Sequence, residues 1–222
     1  MLLAIDTCGS TGTIALARRE GDHITVLGTA ELANKTYSAM LVPQLRELLE
    51  MHQTSLQEIE AIIVVNGPGS FTGVRVGVSA VKGLAEVFAT PVIAVSRLHV
   101  LAHRAQSRYV ALDAGRGEFY FRDDEPVASR ELLLSLNELQ DELHSEAARH
   151  ALAVCEEKVA AVFPEARLVD PATASDALAV VLPRLPTGDF DDLAALDGNY
   201  LRRSDAELFA KQKSGVQAGK TQ

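Results

Sequence analysis

The stretch from Ala61 to Phe88 constrains the fold of this 222-residue chain more than any other. It opens with Ala61–Val65, an unbroken apolar, β-branched run that is typical of a strand buried on both faces of a sheet. A Gly-Pro-Gly turn at 67–69 ends the strand, and the Ser70 side chain can accept a hydrogen bond from the first turn of a helix. The sequence therefore predicts a buried strand, a glycine-rich turn and a helix from Ser70 to about Phe88.

The predicted helix has apolar residues on two faces, so it needs two neighbours. One stripe recurs at steps of three and four and can cover the parent sheet: Phe71, Val74, Val78, Val81, Ala85 and Phe88. The second stripe begins with small residues and consists of Gly73, Gly77, Ala80, Leu84 and Val87. Because a glycine inside a helix costs roughly 1 kcal/mol relative to alanine, we expect a close backbone approach there. From periodicity alone, the second neighbour is either another helix of this chain or another molecule.

Charge and cysteine content narrow the class of protein. A formal net charge of -9 argues against independent binding of nucleic acid, so any role with RNA is expected to depend on a partner. Cys8 and Cys155 are too few for a disulfide framework, which fits a reducing compartment. Asp6 interrupts the apolar start of the chain, no basic residues precede it, and no segment has membrane-spanning length. We therefore predict a cytoplasmic protein without a membrane association.

Residues 1–106 are predicted to form an N-terminal α/β lobe, because strands and helices alternate after an initial group of three strands. Its predicted strands are at 2–5, 12–17, 24–30, 61–65 and 92–95, and its predicted helices are at 36–51, 70–88 and 96–105. Pro43 falls inside the first of these helices, which predicts a kink or a later start.

Residues 107–189 are predicted to form a smaller C-terminal α/β lobe. Its predicted strands are at 109–112, 118–122, 151–154 and 167–169, and its predicted helices are at 129–143, 156–162 and 172–185. In its first hairpin Arg116 lies between Asp113 and Glu118, which predicts a surface ion pair worth about 1 kcal/mol or less. The segment at about 190–210 can return to the first lobe, and 211–222 is predicted to be a flexible tail.

The hairpin after the first strand is a candidate nucleotide-binding site. It combines a carboxylate with several hydroxyl groups, and the candidate ligands are Asp6, Thr7, Ser10 and Thr11. In actin-like ATPases a comparable hairpin wraps phosphate while the aspartate holds magnesium-bound water. Hairpin turns are also rich in Gly, Ser and Thr for backbone reasons alone. The Gly-Pro-Gly turn at a helix N-terminus is a second candidate phosphate site, although no lysine follows it directly.

His99 and His103 are candidate metal ligands, because a spacing of four residues places both on one face of a predicted helix. No third ligand is identifiable nearby, and Leu98, Leu101 and Ala102 are typical of ordinary core packing. We therefore interpret the two side chains as surface histidines and predict neither a metal nor a cofactor.

Four motifs, taken in order along the chain, resemble the TsaB (YeaZ) family. They are Asp6-Thr7 at the end of the first strand, Gly67-Pro-Gly-Ser-Phe-Thr-Gly-Val-Arg75, Asp113-Ala-Gly-Arg-Gly-Glu-Phe-Tyr120 and Tyr200-Leu-Arg-Arg203. Their order and spacing cover nearly the whole chain, and the motif at 67–75 is highly specific. The resemblance implies a two-lobed actin-like (ASKHA, RNase H-like) α/β fold with mixed sheets flanked by helices.

The same resemblance implies a non-catalytic scaffold subunit. In this family the subunit associates with TsaD, its larger paralogue, and with the ATPase TsaE, and it forms a homodimer when alone. The assembly transfers a threonylcarbamoyl group from threonylcarbamoyl-AMP to N6 of the adenosine next to the anticodon, in tRNAs that read codons beginning with A. Contact with tRNA is expected only indirectly, through the complex. The competing hypothesis is an actin-like ATPase or kinase that uses Asp6 and the hairpin from Thr7 to Thr13.

The resemblance also implies an interface on the two long helices of the first lobe. The expected interface residues are Tyr37, Met40, Leu41, Phe71, Gly73, Val74, Gly77, Ala80, Val81 and Leu84. Whether this face meets a second copy or TsaD stays open. TsaD-like proteins carry a metal-binding HxxxH motif whose positions correspond here to Arg97 and Leu101, so His99 and His103 are out of register. A further departure is Tyr37, where many relatives have a histidine before the serine.

Overall fold

Two mixed sheets form the framework of the protein, which we describe from a computed structural model over residues 1–32, 36–125 and 128–202. The strands of the first sheet, in spatial order, are β3 (His23–Leu32), β2 (Gly12–Glu20), β1 (Leu2–Asp6), β4 (Ala61–Val65) and β5 (Val92–Val95). β1 pairs antiparallel with β2 and parallel with β4. β1 and β4 are buried along their whole length, which confirms the prediction of a central strand at Ala61–Val65.

The second sheet contains the later strands. In spatial order they are β10 (Arg167–Leu168), β9 (Leu152–Val154), β6 (Tyr109–Gly115), β7 (Glu118–Asp123) and β8 (Arg130–Ser135). β6, β7 and β8 form an antiparallel meander, whereas β9 runs parallel to both of its neighbours. Each sheet is therefore mixed, as the sequence predicts.

Helices cover the faces of both sheets. They are α1 (Tyr37–Met51), α2 (Phe71–Phe88), α3 (Arg97–Ala105), α4 (Leu136–Glu142), α5 (Glu146–Ala151), α6 (Glu157–Val162) and α7 (Ala174–Val181). Two short 3₁₀ helices span Leu56–Glu58 and Leu182–Arg184. The start of α2 after Ser70 and its end at Phe88 agree with the prediction, and Pro43 lies within α1. Among the described residues, no helix has both the length and the apolar character needed to cross a membrane.

The predicted helix at 129–143 is wrong in its first half. Arg130–Ser135 forms β8, which pairs antiparallel with β7, and α4 begins only at Leu136. The helix start is marked by Ser135, whose side chain accepts from Glu138 N–H while the Glu138 carboxylate accepts from Ser135 N–H at 2.8 Å. Pairing along the open edge of β7 therefore overrides the local helical pattern of the leucine-rich segment.

α7 returns to the first sheet. The prediction placed this helix in the smaller lobe, whereas Ala174, Ala177, Leu178 and Val181 belong to the core of the first sheet. Leu196 joins the same core later in the chain. The limits proposed for the two domains stay a prediction. Both the tail at 211–222 and the last residue of the Tyr200-Leu-Arg-Arg203 motif lie outside the described residues.

Candidate functional site

The turn between β4 and α2 packs directly on the turn between β1 and β2. Ser70 N–H donates to the carbonyl oxygen of Cys8 at 2.9 Å, and the Ser70 hydroxyl caps α2 by accepting from Gly73 N–H at 3.3 Å. A Cβ atom at Gly69 would lie 2.3 Å from the Cys8 carbonyl oxygen. The glycine at this position is therefore required by contact between two loops of the same chain.

Gly73 and Gly77 bring α2 against Thr7. A Cβ atom at Gly73 would lie 1.9 Å from the carbonyl oxygen of Thr7, and one at Gly77 would lie 2.4 Å from its hydroxyl oxygen. That hydroxyl donates a hydrogen bond of 2.6 Å to the carbonyl oxygen of Gly73. The close approach expected from the helix glycines is present, and its partner is the loop after β1. Gly83 differs, because a Cβ atom there would meet open space beyond the backbone of its own helix.

Asp6 lies at the end of β1 with 4% of its surface exposed. One carboxylate oxygen accepts from Cys8 N–H at 2.8 Å. Burial raises the pKa of the Asp6 carboxyl from its ordinary value, while the nearby Arg97 guanidinium and the Cys8 N–H oppose that rise. The carboxyl is therefore engaged by its own loop and is largely shielded from solvent.

The four candidate nucleotide ligands fall into two pairs. Asp6 and Thr7 are buried and make internal hydrogen bonds, whereas Ser10 and Thr11 are exposed at the tip of the hairpin. The first residue of α1 contacts the hairpin next to this tip, because the Tyr37 hydroxyl donates to the Gly9 carbonyl oxygen at 2.8 Å. Within the described residues, the carboxylate and the exposed hydroxyls do not present one continuous polar surface to a ligand.

Arg97, the first residue of α3, reaches the same hairpin. Its backbone N–H donates to the Gly67 carbonyl oxygen at 2.6 Å, and its Nη2 atom would lie 3.2 Å from a Cβ at Gly9. Leu101, the other residue that the resemblance predicts at the TsaD-like metal positions, is buried in the core. The correspondence of Arg97 and Leu101 to that motif stays a prediction.

His99 and His103 do not form a cluster of metal ligands with other residues. Across the described ranges, no group of three or more His, Cys, Asp or Glu side chains has an arrangement that could hold a metal ion. Burial lowers the pKa of His99, and the neighbouring Arg122 lowers it further. The interpretation of His103 as a surface histidine agrees with its exposure, whereas His99 is half-buried.

The predicted interface residues separate into buried and accessible sets. The buried set packs inside this chain and consists of Tyr37, Leu41, Gly73, Val74, Gly77 and Val81. The accessible set consists of Met40, Phe71, Ala80 and Leu84. Only the second set has surface with which another molecule can make contact without rearrangement, and the interface itself stays a prediction.

The accessible residues of α2 lie on two different faces of the helix. Ala80 and Leu84 follow one another at a helical spacing with Val87, whose surface is 74% exposed. We call these three residues the α2 strip. Phe71 lies instead on the face of Arg75, whose guanidinium carbon is 3.8 Å from the centroid of the Phe71 ring. The α2 strip therefore joins two half-buried residues of the predicted interface, Ala80 and Leu84, to the exposed Val87, which the predicted interface did not include.

Comparison with known proteins identifies the family. Residues 29–174 match the family model described as TsaD: tRNA N6-adenosine threonylcarbamoyltransferase. The tRNA threonylcarbamoyladenosine biosynthesis protein TsaB of Haemophilus influenzae is 38% identical over 127 residues, and that of Escherichia coli is 35% identical over 128 residues. A solved structure of YeaZ from Pseudomonas aeruginosa superimposes with a TM-score of 0.72 at 26% identity, covering 90% of this chain and 99% of that one. The chain belongs to the TsaB (YeaZ) family.

The sequence matches leave part of each relative uncovered. They include 54% of this chain and 52% of the H. influenzae protein, and 55% of this chain and 54% of the E. coli protein. The chain thus spans about half the length of the curated relatives it matches. The structural match is nearly complete, and it establishes the two-lobed actin-like (ASKHA, RNase H-like) fold with mixed sheets flanked by helices.

Sequence reasoning on this TsaB-family chain missed two features of the site. Arg97 was named only as a position that corresponds to the TsaD-like metal motif, although its side chain lies beside the hairpin of Asp6. Asn199 was not singled out at all, although its backbone bonds to Asn66, directly after β4 of the first sheet, and its side chain bonds to Glu131 on β8 of the second. A basic residue directly after the Ser96 helix cap was the available signal for Arg97, whereas no local pattern marks Asn199.

Proposed function

We propose that this chain is a non-catalytic scaffold subunit that binds and activates TsaD in the threonylcarbamoyl modification of tRNA. The observation that carries the proposal is the α2 strip, in which the exposed Val87 follows Ala80 and Leu84, two half-buried residues that pack in part on the core of the first sheet. Singly exposed apolar residues are common, but a partly exposed apolar row at helical spacing fits helix-to-helix association. Relatives named as tRNA threonylcarbamoyladenosine biosynthesis proteins support the assignment to tRNA modification.

The hairpin after β1 supports a scaffold over a catalyst. Thr7 uses its hydroxyl to hold α2, and the Asp6 carboxyl accepts a hydrogen bond from its own loop. Both groups would have to break these buried contacts before they bound magnesium or phosphate, which costs free energy. The net charge of -9 fits a subunit that meets tRNA only through its partner.

The proposal assigns the contacts with TsaD and with a second copy to the same surface. In the proposal the α2 strip meets TsaD in the active complex, TsaE joins that complex, and the strip meets a second copy of this chain when TsaD is absent. Since one apolar surface serves both contacts, the homodimer and the TsaD complex exclude one another.

Replacing Ala80 by glutamate tests the proposal. A charge buried in an apolar contact without a partner is costly, so Ala80→Glu is expected to weaken TsaD binding at least about tenfold. Ser79→Glu is the matched control, because it adds the same charge at the adjacent exposed position of α2, outside the strip. Gly77→Asp is unsuitable, since its side chain would collide with Thr7 inside the chain.

Binding to TsaD of the same organism is measured by calorimetry, and threonylcarbamoyl transfer to tRNA by nucleoside mass spectrometry. We expect Ala80→Glu to lose both while its circular dichroism and melting temperature match those of Ser79→Glu. Unchanged affinity and transfer in Ala80→Glu would refute the assignment of the strip. Micromolar binding of Mg-ATP with turnover by the isolated chain would instead favour the ATPase hypothesis.

A further inference from the structure

The last described segment, Gly198–Arg202, runs across both lobes. We call this segment the strap. On the first lobe Asn199 N–H donates to the Asn66 carbonyl oxygen at 2.7 Å, directly after β4. The Asn66 side chain returns a bond of 3.2 Å to the carbonyl oxygen of Asp197. One backbone hydrogen bond therefore joins the strap to the turn before α2, and a side-chain hydrogen bond holds the residue just before the strap.

α2 provides the second contact of the strap with the first lobe. The rings of Tyr200 and Phe71 have centroids 5.2 Å apart and are tilted by 50°. Such an arrangement stabilises an aromatic pair beyond its buried area. A Cβ atom at Gly198 would lie 2.6 Å from a methyl carbon of Val74, so the strap backbone lies directly on the helix.

The same few residues bond to the second lobe. The Asn199 side-chain amide donates to the Glu131 carboxylate on β8 at 2.7 Å. Arg202 donates to the Gly115 carbonyl oxygen at 3.0 Å and forms an ion pair with Glu118, at the two sides of the β6–β7 turn. Leu201 packs into the apolar cluster between α3 and the second sheet.

Within five residues, the strap therefore makes contacts with both lobes. Asn199 bonds to the first lobe through its backbone and to the second through its side chain. Tyr200 then contacts the first lobe, and Leu201 and Arg202 contact the second. A segment with this pattern cannot keep all its contacts if one lobe rotates relative to the other.

We propose that the strap is a coupling element that holds the lobes in one relative orientation and links the first turns of α2 to the β6–β7 hairpin. α3 also bridges the lobes, since it packs against α7 on one side and against β6 and β7 on the other. The strap adds a second bridge from a distant part of the sequence. The inference goes beyond the proposed function, because it concerns the chain without any partner.

Hydrogen exchange of the full chain, read by mass spectrometry, tests the coupling. Tyr200→Ala removes a contact with the first lobe, and the readout is the exchange of β7 and β8 in the second lobe. We expect about fivefold faster exchange there, because the anchors at Glu131 and Glu118 loosen with the strap. Tyr200→Phe keeps the ring pair and Phe190→Ala removes an exposed ring upstream of the strap, so both are expected to exchange like the parent.

The reciprocal variant reads the coupling in the opposite direction. Arg202→Gln removes the ion pair with Glu118, and we expect faster exchange in the first two turns of α2. If Tyr200→Ala fails to fold, Arg202→Gln still tests the coupling, because Arg202 lies outside the apolar cores and its replacement is expected to leave them intact. Changes confined to the lobe whose contact was removed would overturn the proposal, as would additive effects on unfolding free energy in the Tyr200→Ala and Arg202→Gln double-mutant cycle.

Discussion

Asp6 is a carboxyl group held where an ionised form is disfavoured. It is almost fully buried at the end of β1, and burial raises its pKa despite the neighbouring Arg97 guanidinium. The folded protein therefore binds this proton more tightly than the unfolded chain does. Its contribution to stability is present below the ordinary aspartate pKa of about 3.9 and declines as the pH rises through the higher folded value.

Asp6→Asn tests this sign. The amide keeps an acceptor for Cys8 N–H but cannot ionise, so the unfolding free energy of the variant is expected to rise relative to the parent as the pH increases from about 4 to about 8. Urea unfolding of both proteins at a series of pH values measures the difference. If the parent instead gains stability relative to Asp6→Asn with increasing pH, attraction to Arg97 outweighs burial and the assigned direction is wrong.

At the scale of the element, α2 contains glycines with opposite surroundings. Gly73 lies against the Thr7 carbonyl oxygen, whereas Gly83 is exposed and has open space around a Cβ position. Gly73→Ala is expected to destabilise the protein by about 1–3 kcal/mol, because one backbone must move away from another. Gly83→Ala is expected to stabilise it by about 0.5–1 kcal/mol, since alanine favours the helix.

Both substitutions replace glycine by alanine in the same helix, so each serves as the control for the other. Chemical denaturation gives both free energies of unfolding. A stabilising effect of Gly73→Ala would show that α2 does not rest on the loop after β1. A loss of stability in Gly83→Ala would show that another part of the protein packs against α2 at Gly83.

Sequence patterns identified most elements of the first lobe, because the signals there are local. The β-branched run at Ala61–Val65, the Ser70 cap and the helix to Phe88 depend on near neighbours, and all three are confirmed. β8 was missed, because Arg130–Ser135 contains three consecutive leucines and lacks the alternation of apolar and polar residues that marks a strand. Pairing with β7 decides its conformation, and that partner cannot be read from the segment itself.

The candidate site was predictable in the same limited sense. Glycines at 73 and 77 predicted a close backbone approach, and the approach exists. Its partner, Thr7, lies 66 residues away and uses its hydroxyl for the contact, so no local pattern identified it. The predicted interface list mixed buried and exposed residues, because a helical repeat marks apolar faces but does not say which face the fold covers first.

At the scale of the whole molecule, the chain leaves the first sheet, builds the second and comes back. Apolar periodicity predicted a helix near α7 but assigned it to the lobe of its sequence neighbours. In the fold, α7 packs on the first sheet. Further along the chain, the Asp191 carboxylate accepts a hydrogen bond of 2.7 Å from Ala94 N–H on the edge strand β5. The first lobe is therefore completed only after the second lobe has been traversed, which makes its stability depend on distant residues.

Thr13 joins the returning helix α7 to the first sheet, and this contact gives a prediction for the whole molecule. Its hydroxyl on β2 accepts from Ala174 N–H at 2.8 Å, and that N–H has no partner inside the first turn of α7. Thr13→Val keeps the shape but removes the acceptor, so it is expected to cost about 1–3 kcal/mol of unfolding free energy, whereas Thr13→Ser keeps the acceptor and most of the stability. Urea denaturation ranks the three proteins. Equal stability of Thr13→Val and the parent would mean that packing alone, without this hydrogen bond, brings α7 back to the first sheet.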